Sequence, residues 1–413
     1  MREHERSGTE VFDGLRGFAI LWVLAYHTWL FSWFTPYLKA FGHDVPVSVL
    51  PRVGYLGVEL FFLISGFCLF IPDARSAVLG TSSLGLRAFA RRRAVKIVPS
   101  YALALLVTVP FALEYLHGPS ELWPALVTHA AFVQNFYDDA FGKANSVFWS
   151  LAIEVQFYLV FPLLAWTFRR APLPTAAAMV LTAIFYRVLL AGCCLEDEVV
   201  MRQLPAYLDV FACGMLAAYV VTWLHARQPT PHRSGGRVGM RAAATIIALG
   251  LAALIFALLQ TCDAVQYAPH GRARWDRFGR TELAALMGAF AVASCFAMRF
   301  WRAIIANPVF VFLSIVSYNM YLWHTLILIW LWKHDVPRAA TPNPHDDDHW
   351  KFAYIALGWI AVLAVSTAVT YFIERPLLAT IKPHTFAFGW SRFLRRPVSV
   401  APTASLATRE TRT

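Results

Sequence analysis

The sequence predicts an all-α membrane protein, built as a bundle of about ten transmembrane helices. Three features of the chain support this prediction. Its 413 residues are 58% hydrophobic and only 15% charged, which is typical of multi-span membrane proteins. Its apolar residues fall in runs of about 20, the length of helix that crosses a bilayer. Most of its basic residues lie in short loops between these runs, as in membrane proteins of fixed orientation.

The apolar runs place the predicted spans in order along the chain. They lie near residues 12–34, 54–71, 98–116, 147–168, 174–194, 204–224, 240–260, 281–298, 304–332 and 352–373. A shorter apolar stretch at 122–136 begins beside two prolines, and we expect it to be interfacial or re-entrant. The predicted organisation is a cytoplasmic segment at 1–11, a membrane domain at 12–378, and a basic, disordered cytoplasmic tail at 379–413.

The distribution of lysine and arginine predicts the orientation. Segments assigned to the inner side hold 24 of the 36 basic residues, whereas 11 lie outside and Arg187 lies within a span. This bias favours cytoplasmic amino and carboxyl termini. It also explains the net charge of +11 without nucleic acid as a partner. Four arginines at 271–280 lie outside against the bias, and contact with an anionic acceptor is one hypothesis for them.

Neither the cysteines nor the polar loop, which we define as residues 341–350, predicts a metal site. The six cysteines show no CxxC spacing. Histidines and aspartates in the polar loop stand at consecutive positions, whereas metal sites usually take spaced ligands from rigid elements, so a solvated loop is favoured. A disulfide from Cys193 or Cys194 to Cys262 stays an open alternative for the predicted outer loops.

The first span carries two costly polar groups on one face. Arg16 and His27 are eleven residues apart, which is three helical turns and about 16 Å. If the helix enters the bilayer at Asp13, the imidazole lies near the midplane. Titratable groups at that depth usually face protein or a water-filled cavity, so a functional role is favoured. The alternative is a snorkelling Arg16 anchor and an inter-helix hydrogen bond from His27.

The second span adds a carboxylate and two small residues. Glu59 lies near the outer end of GVELFFLISGF and needs a partner, for which His27, Arg52 or water are candidates. Ser65 and the glycine after it interrupt the aromatic run. They permit close approach either of a neighbouring helix, the favoured interpretation, or of a ligand.

A basic cluster, RRRAVK at 91–96, follows the second span. Arg92, Arg93 and Lys96 suit a phosphate group of a lipid headgroup, a nucleotide or coenzyme A, because guanidinium forks and ammonium groups bind phosphate. A simple topology anchor explains the cluster equally well.

Further polar residues occur inside later spans. Glu154 lies about one turn inside the fourth span with Tyr158 beside it, where a carboxylate orients a hydroxyl acceptor, shares a proton with His27, or pairs with an arginine for structure. Others are Asp209, Asn319, His324 and Glu374. Together they indicate a polar cavity through the bundle.

These motifs, in this order, resemble the integral-membrane acyltransferase-3 family. The resemblance covers about residues 11–378 and includes DGLRG with R-x10-H, GVELFFLISGF, RRxxKIxPxY, WSLxxExxFY, SYxxYLWH and ExP. Two positions depart from the family pattern: Lys96 stands where arginine is more usual, and Glu59 where aspartate is. The hydrolase-like domain appended in some members is not expected after Arg375.

The resemblance implies a multi-pass enzyme of the bacterial inner membrane. Such a protein passes an acyl group, usually acetyl, from cytoplasmic acyl-CoA to a hydroxyl of a glycan, such as a surface polysaccharide, or of a related acceptor. It implies that Arg16 and His27 are the functional pair and that the arginines after the second span engage the coenzyme. Acyl-CoA is expected as a co-substrate, with no tightly bound cofactor and no metal.

The chemistry of the residues agrees with this transfer. We expect His27 to be the base, Arg16 to line the entry beneath it, and Glu154 to orient the acceptor or the imidazole. The coenzyme phosphates are assigned to Arg92, Arg93 and Lys96. The remaining candidates for the polar cavity are Asp13, Glu59, Ser65, Tyr158 and His324.

Three alternatives stay open at this point. A covalent acyl-histidine is a second mechanism for the same enzyme. In a second alternative, the acceptor is a secondary metabolite such as a macrolide, because the sequence does not identify the acceptor. A proton-coupled transporter or flippase also uses intramembrane histidine and carboxylates, although the chain shows no internal symmetry of paired halves.

Overall fold

The computed structural model describes residues 9–380 apart from 37, 41–42, 46, 84, 114–118, 138–144, 191–197, 228–233 and 267–273. From residue 381 on, the predicted tail lies outside the described residues, as do most of the predicted amino-terminal segment and part of the arginine-rich stretch at 271–280.

The described residues form helices joined by short connections. In chain order the helices are α1 (Glu10–Ser32), α2 (Val49–Arg52), α3 (Gly57–Leu79), α4 (Leu86–Leu113), α5 (Pro119–Ala130), α6 (Trp149–Arg170), α7 (Pro172–Leu190), α8 (Glu198–Met201), α9 (Leu208–Ala226), α10 (Ser234–Val265), α11 (Arg280–Phe296), α12 (Arg299–Ile305), α13 (Pro308–Lys333), α14 (Asp348–Val369) and α15 (Arg375–Ala379). Short 3-10 turns occur at Gly54–Leu56, Gln134–Phe136, Leu204–Tyr207 and Pro344–Asp346.

Two features interrupt the regular helices. After α1, strands β1 (Leu38–Ala40) and β2 (His43–Val45) pair antiparallel, with Leu38 opposite Val45. A π-helical turn, Trp275–Gly279, precedes α11, and another, Thr370–Glu374, joins α14 to α15. Such turns often occur at functional sites.

Eight helical segments of the described chain are long and apolar enough to cross a membrane. They are Gly54–Leu79, Leu86–Phe111, Trp149–Arg170, Pro172–Leu189, Leu204–Ala226, Val238–Val265, Arg299–Lys333 and Asp348–Ala379. The predicted class, an all-α membrane protein, is confirmed. The other two predicted spans coincide with α1 and α11. Helix α1 has 23 residues and carries the polar groups of the first span, and α11 has 17 residues. The orientation of the termini stays a prediction.

Two predicted spans have different bounds in the structure. Helix α4 begins at Leu86, so the basic cluster lies in its first turns and not in a preceding loop. Alanine, arginine and lysine are good helix formers, which is why the helix extends through them. The span predicted at 304–332 is divided at Asn307, whose side chain caps α13 by accepting a hydrogen bond from the backbone N–H of Phe310. Pro308 suits the first helical position because its missing N–H is not needed there.

The short apolar stretch predicted to be interfacial forms α5, a helix of 12 residues followed by a 3-10 turn. About 20 residues are needed to cross a bilayer, so α5 is too short to be a span.

Helix α3 lies at the centre of the bundle. Of the most apolar window of Gly54–Leu79, 89% is buried, against 17% for the corresponding window of α10. Glycines let α3 meet α9 closely, because a Cβ at Gly66 would lie 2.4 Å from the carbonyl oxygen of Phe211 and one at Gly214 would lie 2.0 Å from that of Leu63. The interpretation of Gly66 as a close-packing residue is therefore confirmed.

Helix α1 packs parallel to the α12–α13 unit through two glycines. A Cβ at Gly14 would lie 2.1 Å from the carbonyl oxygen of Ile305, and one at Gly17 would lie 2.0 Å from that of Phe310. Because both glycines flank Arg16, larger residues there would push α1 away from α13. This contact holds the amino-terminal parts of the two helices side by side.

Side chains of the polar loop cap a helix and bind the end of α1. Asp347 accepts hydrogen bonds from the backbone N–H groups of Ala340 and Trp350, at 2.9 and 3.0 Å, which lower the pKa of its carboxyl below the usual range. His345 Nε2 lies 3.0 Å from the carbonyl oxygen of Phe31 and donates to it. These contacts occupy the ligand-type side chains in ordinary structural roles.

The predicted disulfide involves residues that the structure describes only on one side. Cys262 is a free thiol whose sulfur lies 3.4 Å from the hydroxyl of Tyr55. Cys193 and Cys194 lie outside the described residues.

Candidate active site

A small polar cavity lies between α1, α3, α6 and α13. Its volume is about 50 Å³. Its lining includes the polar residues Arg16, Ser65, Ser150, Glu154, Ser317, Tyr318 and Tyr321. It also includes apolar residues of α3 and α6, among them Phe61, Phe62 and Leu151. Three predicted site residues, Arg16, Ser65 and Glu154, therefore share one cavity.

Glu154 is held by two hydroxyl groups. Its Oε1 accepts hydrogen bonds from Ser65 Oγ at 2.7 Å and from Tyr158 Oη at 2.6 Å. Ser65 and Tyr158 are buried, so these bonds fix the carboxylate. No described residue bonds Oε2 of Glu154, and the expected contact with His27 is not formed. A hydroxyl pair, not an arginine or the imidazole, is the partner of this carboxylate.

Arg16 makes no hydrogen bond or ion pair with any described residue. Its Nε is enclosed by protein without a partner, while its guanidinium faces the cavity. A guanidinium in such a place is costly unless a ligand oxygen or water satisfies it. Asp13, half-buried one turn earlier on α1, lies close enough to exert an electrostatic attraction but forms no salt bridge with it.

The basic cluster divides into two parts. Arg92 and Arg93 are half-buried, their Nε atoms have no partner within the described chain, and Arg93 lies 5.6 Å from the ring centre of Tyr158. Lys96 instead forms a salt bridge with Glu374, which also accepts a hydrogen bond from Asn319 Nδ2 at 2.9 Å. Its expected contact with phosphate would require this ion pair to open, and it stays a prediction.

His27 meets a second histidine from α13. The Nδ1 atom of His27 lies 2.9 Å from the carbonyl oxygen of Val23 and 3.2 Å from Nε2 of His324. His324 is fully buried, and its own Nδ1 lies 2.9 Å from the carbonyl oxygen of Tyr321 and 3.1 Å from that of Met320. The two candidates, 297 residues apart in sequence, are therefore in direct contact.

Tyr321 connects the cavity to this histidine pair. It lines the cavity, its ring centre lies 5.6 Å from that of His324, and its hydroxyl oxygen lies 2.7 Å from Ser150 Oγ. Sequence reasoning did not single out Tyr321 or Ser150. The spacing of Ser317, Tyr321 and His324, at i, i+4 and i+7, places them on one helix face and was the available signal.

A separate group, the charge cluster, consists of Glu59, Arg187, Asp209, Asp276 and Arg280. Arg280 lies 3.3 Å from Glu59 and 3.6 Å from Asp276. Of the expected partners of Glu59, His27 and Arg52 are wrong, because Arg280, which follows the π-helical turn before α11, takes that position, and water stays a prediction.

Arg52, one of those expected partners, pairs with Asp263 instead. Of the arginines predicted to meet an acceptor, Arg280 is buried in the charge cluster and the part at 271–273 lies outside the described residues.

The family model described as "Acyltransferase domain" matches residues 10–375. The chain is 24% identical over 380 residues to the putative peptidoglycan O-acetyltransferase YrhL of Bacillus subtilis, which covers 88% of this chain and 54% of that protein. It is 30% identical over 170 residues to the peptidoglycan O-acetyltransferase OatA of Listeria monocytogenes, covering 38% of this chain and 24% of that protein.

A similar match is found to the O-acetyltransferase OatA of Staphylococcus aureus, 29% identical over 166 residues, with 37% of this chain and 24% of that protein covered. The aligned regions thus span about half or less of the length of these relatives. No solved structure matches the chain.

Proposed function

The chain belongs to the acyltransferase-3 family, and from this we propose that it moves an acetyl group from acetyl-CoA to a hydroxyl of a carbohydrate such as peptidoglycan. The observation that carries the proposal is the cavity that Arg16, without a partner among the described residues, shares with Glu154, together with the histidine pair next to Tyr321. The names of the relatives support the acceptor class.

The donor is assigned to the end of the cavity near α4. Arg92 and Arg93 are partly exposed there and have guanidinium N–H groups to spare, which suits the phosphates of a coenzyme. Arg93 lies over Tyr158, and Tyr158 bonds Glu154, so a chain of contacts through these two residues links Arg93 to the cavity. A donor held here would extend its thioester past Arg16 and toward Tyr321 and the histidine pair.

Arg16 is assigned to the arm of the bound donor. It lies three helical turns, about 16 Å, before His27 on α1, so it binds the donor at a distance from the carbon that the hydroxyl attacks. A guanidinium without an ion-pair partner among the described residues is suited to bind an oxygen of the donor, because its N–H groups remain available. This role accounts for such an arginine inside an apolar helix.

His27 is assigned as the base. It takes the proton of the acceptor hydroxyl as the new C–O bond forms, and the C–S bond then breaks. The leaving thiolate of the coenzyme receives the proton from His27, so the enzyme ends as it began. Glu154, with Oε2 available, accepts a hydrogen bond from the acceptor and orients it.

Transfer of label tests this function. Membranes containing the protein are incubated with radiolabelled acetyl-CoA and purified peptidoglycan, and acid-stable label on the glycan is counted after removal of lipid. We expect transfer by the wild type and a loss of about 100-fold or more in His27→Ala, the range for removal of a general base.

A matched control is His225→Ala on α9. His225 makes the same type of bond, from Nδ1 to the carbonyl oxygen of Val221 at 2.7 Å, away from the cavity. Its activity should stay near that of the wild type. Wild-type membranes that transfer no label to the glycan would contradict the proposed function, and full activity of His27→Ala would remove His27 from it.

A further inference from the structure

The contacts of the two histidines determine where their protons lie. A carbonyl oxygen only accepts hydrogen bonds. His324 Nδ1 faces two of them, those of Tyr321 and Met320, so this nitrogen must carry the proton. A neutral imidazole has one N–H, and the Nε2 of His324 is therefore a bare acceptor.

The same argument then fixes His27. Its Nδ1 faces the carbonyl oxygen of Val23 at 2.9 Å and the bare Nε2 of His324 at 3.2 Å. Both neighbours are acceptors, so Nδ1 of His27 carries the proton and shares it between them. The opposite arrangement, with a proton on Nε2 of His324, would set a bare ring nitrogen against a carbonyl oxygen in three contacts: His324 Nδ1 with Tyr321 and Met320, and His27 Nδ1 with Val23.

Both rings are neutral in this arrangement. Neither contacts a carboxylate among the described residues, and His324 has no exposed surface. A buried positive charge without a paired anion is costly, so neither ring holds a second proton at rest. The remaining ring nitrogen, Nε2 of His27, is then a lone pair with no partner in the described chain, and His27 is only half-buried.

We propose that His324 is a positioning residue that holds His27 in the Nδ1–H tautomer, so that Nε2 of His27 is the nitrogen that takes the acceptor's proton. This rests on the proposed function for the step itself. During transfer, Nε2 binds the hydroxyl proton, and the imidazolium donates from Nδ1 to His324 and Val23 while the charge persists. Nε2 then returns the proton to the coenzyme sulfur.

The close contact of α1 with α13 gives this arrangement its rigidity. Gly14 and Gly17 let the two helices approach, and the parallel packing carries His27 to the level of His324. Since each ring is also bonded to its own helix, neither turns without losing a carbonyl contact. The packing of α1 against α13 therefore fixes the tautomer of His27.

Substitutions of His324 separate positioning from structure. His324→Gln keeps an amide oxygen that accepts from Nδ1 of His27, whereas His324→Leu offers no acceptor. We expect kcat for acetyl transfer from acetyl-CoA to peptidoglycan to fall about 10- to 100-fold in His324→Leu, the effect usual for loss of a partner that orients a functional histidine, with little change in KM for acetyl-CoA. His324→Gln should recover most of the loss.

His334→Leu is the control on the same helix. His334 makes a Nδ1 bond of 2.8 Å to the carbonyl oxygen of Trp330 at the exposed end of α13, and its loss should leave kcat unchanged. Equal losses in His324→Leu and His324→Gln would contradict the proposal, as would a change confined to KM. Size-exclusion profiles of the detergent-solubilised variants show whether a loss is one of folding.

Nitrogen NMR tests the tautomer in the wild type itself. Protein labelled with ¹⁵N-histidine gives separate signals for protonated and bare ring nitrogens, and the signals of His27 are found by comparison with His27→Ala. We expect a protonated Nδ1 and a bare Nε2 in the wild type, and a mixture of tautomers in His324→Leu. A wild-type His27 protonated at Nε2 would overturn the inference even if acetyl transfer is observed, whereas absent transfer with the expected tautomer would overturn only the function.

Discussion

Two buried regions of the molecule treat charge in opposite ways. In the charge cluster, Arg187 is fully enclosed, and its guanidinium donates to Ala206, Asp209 and Thr281 at 2.7 to 2.9 Å. In the cavity, no described residue pairs with Arg16 or bonds the second carboxylate oxygen of Glu154. Both arginines lie in apolar helices, so burial alone does not distinguish them.

The two regions differ in whether the protein itself supplies partners for the charged side chains. The charges of the first region form ion pairs with one another, and these pairs join α7 to α9 and α3 to α11. Glu59 Oε2, Arg187 Nε and two guanidinium nitrogens of Arg280 have no hydrogen bond among the described residues, but each side chain has an ion-pair partner. Those of the cavity are incomplete within the described protein, and a reacting group can complete them. A buried charge whose partner is absent is thus a better indication of function than a buried charge as such.

The largest effect on stability is expected from breaking the pair in the charge cluster. Arg187→Met leaves Asp209 as an uncompensated buried charge and should lower the free energy of unfolding by about 3–5 kcal/mol. Thermal unfolding in detergent, followed by tryptophan fluorescence, measures it. The double variant Arg187→Met/Asp209→Leu should regain much of the loss, and a double variant as unstable as the single one would contradict a purely structural role.

Arg16→Met should reverse that pattern. Since Arg16 has no partner in the part of the chain that the structure describes, its removal should change the free energy of unfolding by less than about 1 kcal/mol, as for sites without such a contact. The kcat/KM for acetyl-CoA should fall by about 10- to 100-fold, because a hydrogen bond to a charged group is worth roughly 1.5–3 kcal/mol. The same unfolding scan and the label-transfer assay measure the two quantities. If Arg16→Met lost as much stability as Arg187→Met, Arg16 would have a structural role like that of the charge cluster, and the difference between the two regions would be contradicted.

Glu154→Gln tests the carboxylate inside the cavity. The amide retains an oxygen for Ser65 and Tyr158 but loses the charge that orients an acceptor hydroxyl. We expect kcat/KM for the glycan to fall by about 10- to 100-fold, because hydrogen bonds to charged groups are worth roughly 1.5–3 kcal/mol. Tyr158→Phe removes only one hydrogen bond to Glu154 and should lower kcat/KM for the glycan by a smaller factor. An effect confined to acetyl-CoA kinetics would place Glu154 on the donor side instead.

Arg93→Ala is expected to have the smallest effect. One charge-assisted contact to phosphate is lost, so KM for acetyl-CoA should rise by about 10-fold while kcat changes little. Arg170→Ala is the matched control, because Arg170 stacks on Trp166 at 3.9 Å at the exposed end of α6. Steady-state kinetics with varied acetyl-CoA provide both values. Equal KM values in the two variants would exclude Arg93 from the donor site.

Much of the fold could be predicted because its signals are local. Apolar runs of bilayer length identified the helices, and the helical repeat placed Arg16 and His27 on one face of α1, which is continuous in the structure. The bounds were less accurate where good helix formers extended a span, as in α4, or where a cap divided one, as at Asn307. Basic residues occur both in loops and in first helical turns, so the positions of the charges did not show where α4 begins.

The partners of the site residues could not be predicted in the same way. Glu59 was expected beside His27, Arg52 or water, but Arg280, more than 200 residues away in the chain, is its partner. Glu154 meets Ser65 instead of the imidazole, and His27 meets His324. Nothing in the spacing of one helix states which other helix lies against it.

The sequence by itself determined the class of fold, the helical face that carries Arg16 and His27, and the motifs of the family. These depend on hydrophobicity and on the 3.6-residue repeat, which are properties of neighbouring residues. Only the tertiary structure decided which polar groups complete one another and which do not, because the glycine contacts that set the order and depth of helix packing join residues far apart in the chain. This packing gives the arginines of the charge cluster their carboxylate partners and leaves Arg16 in the cavity without one among the described residues.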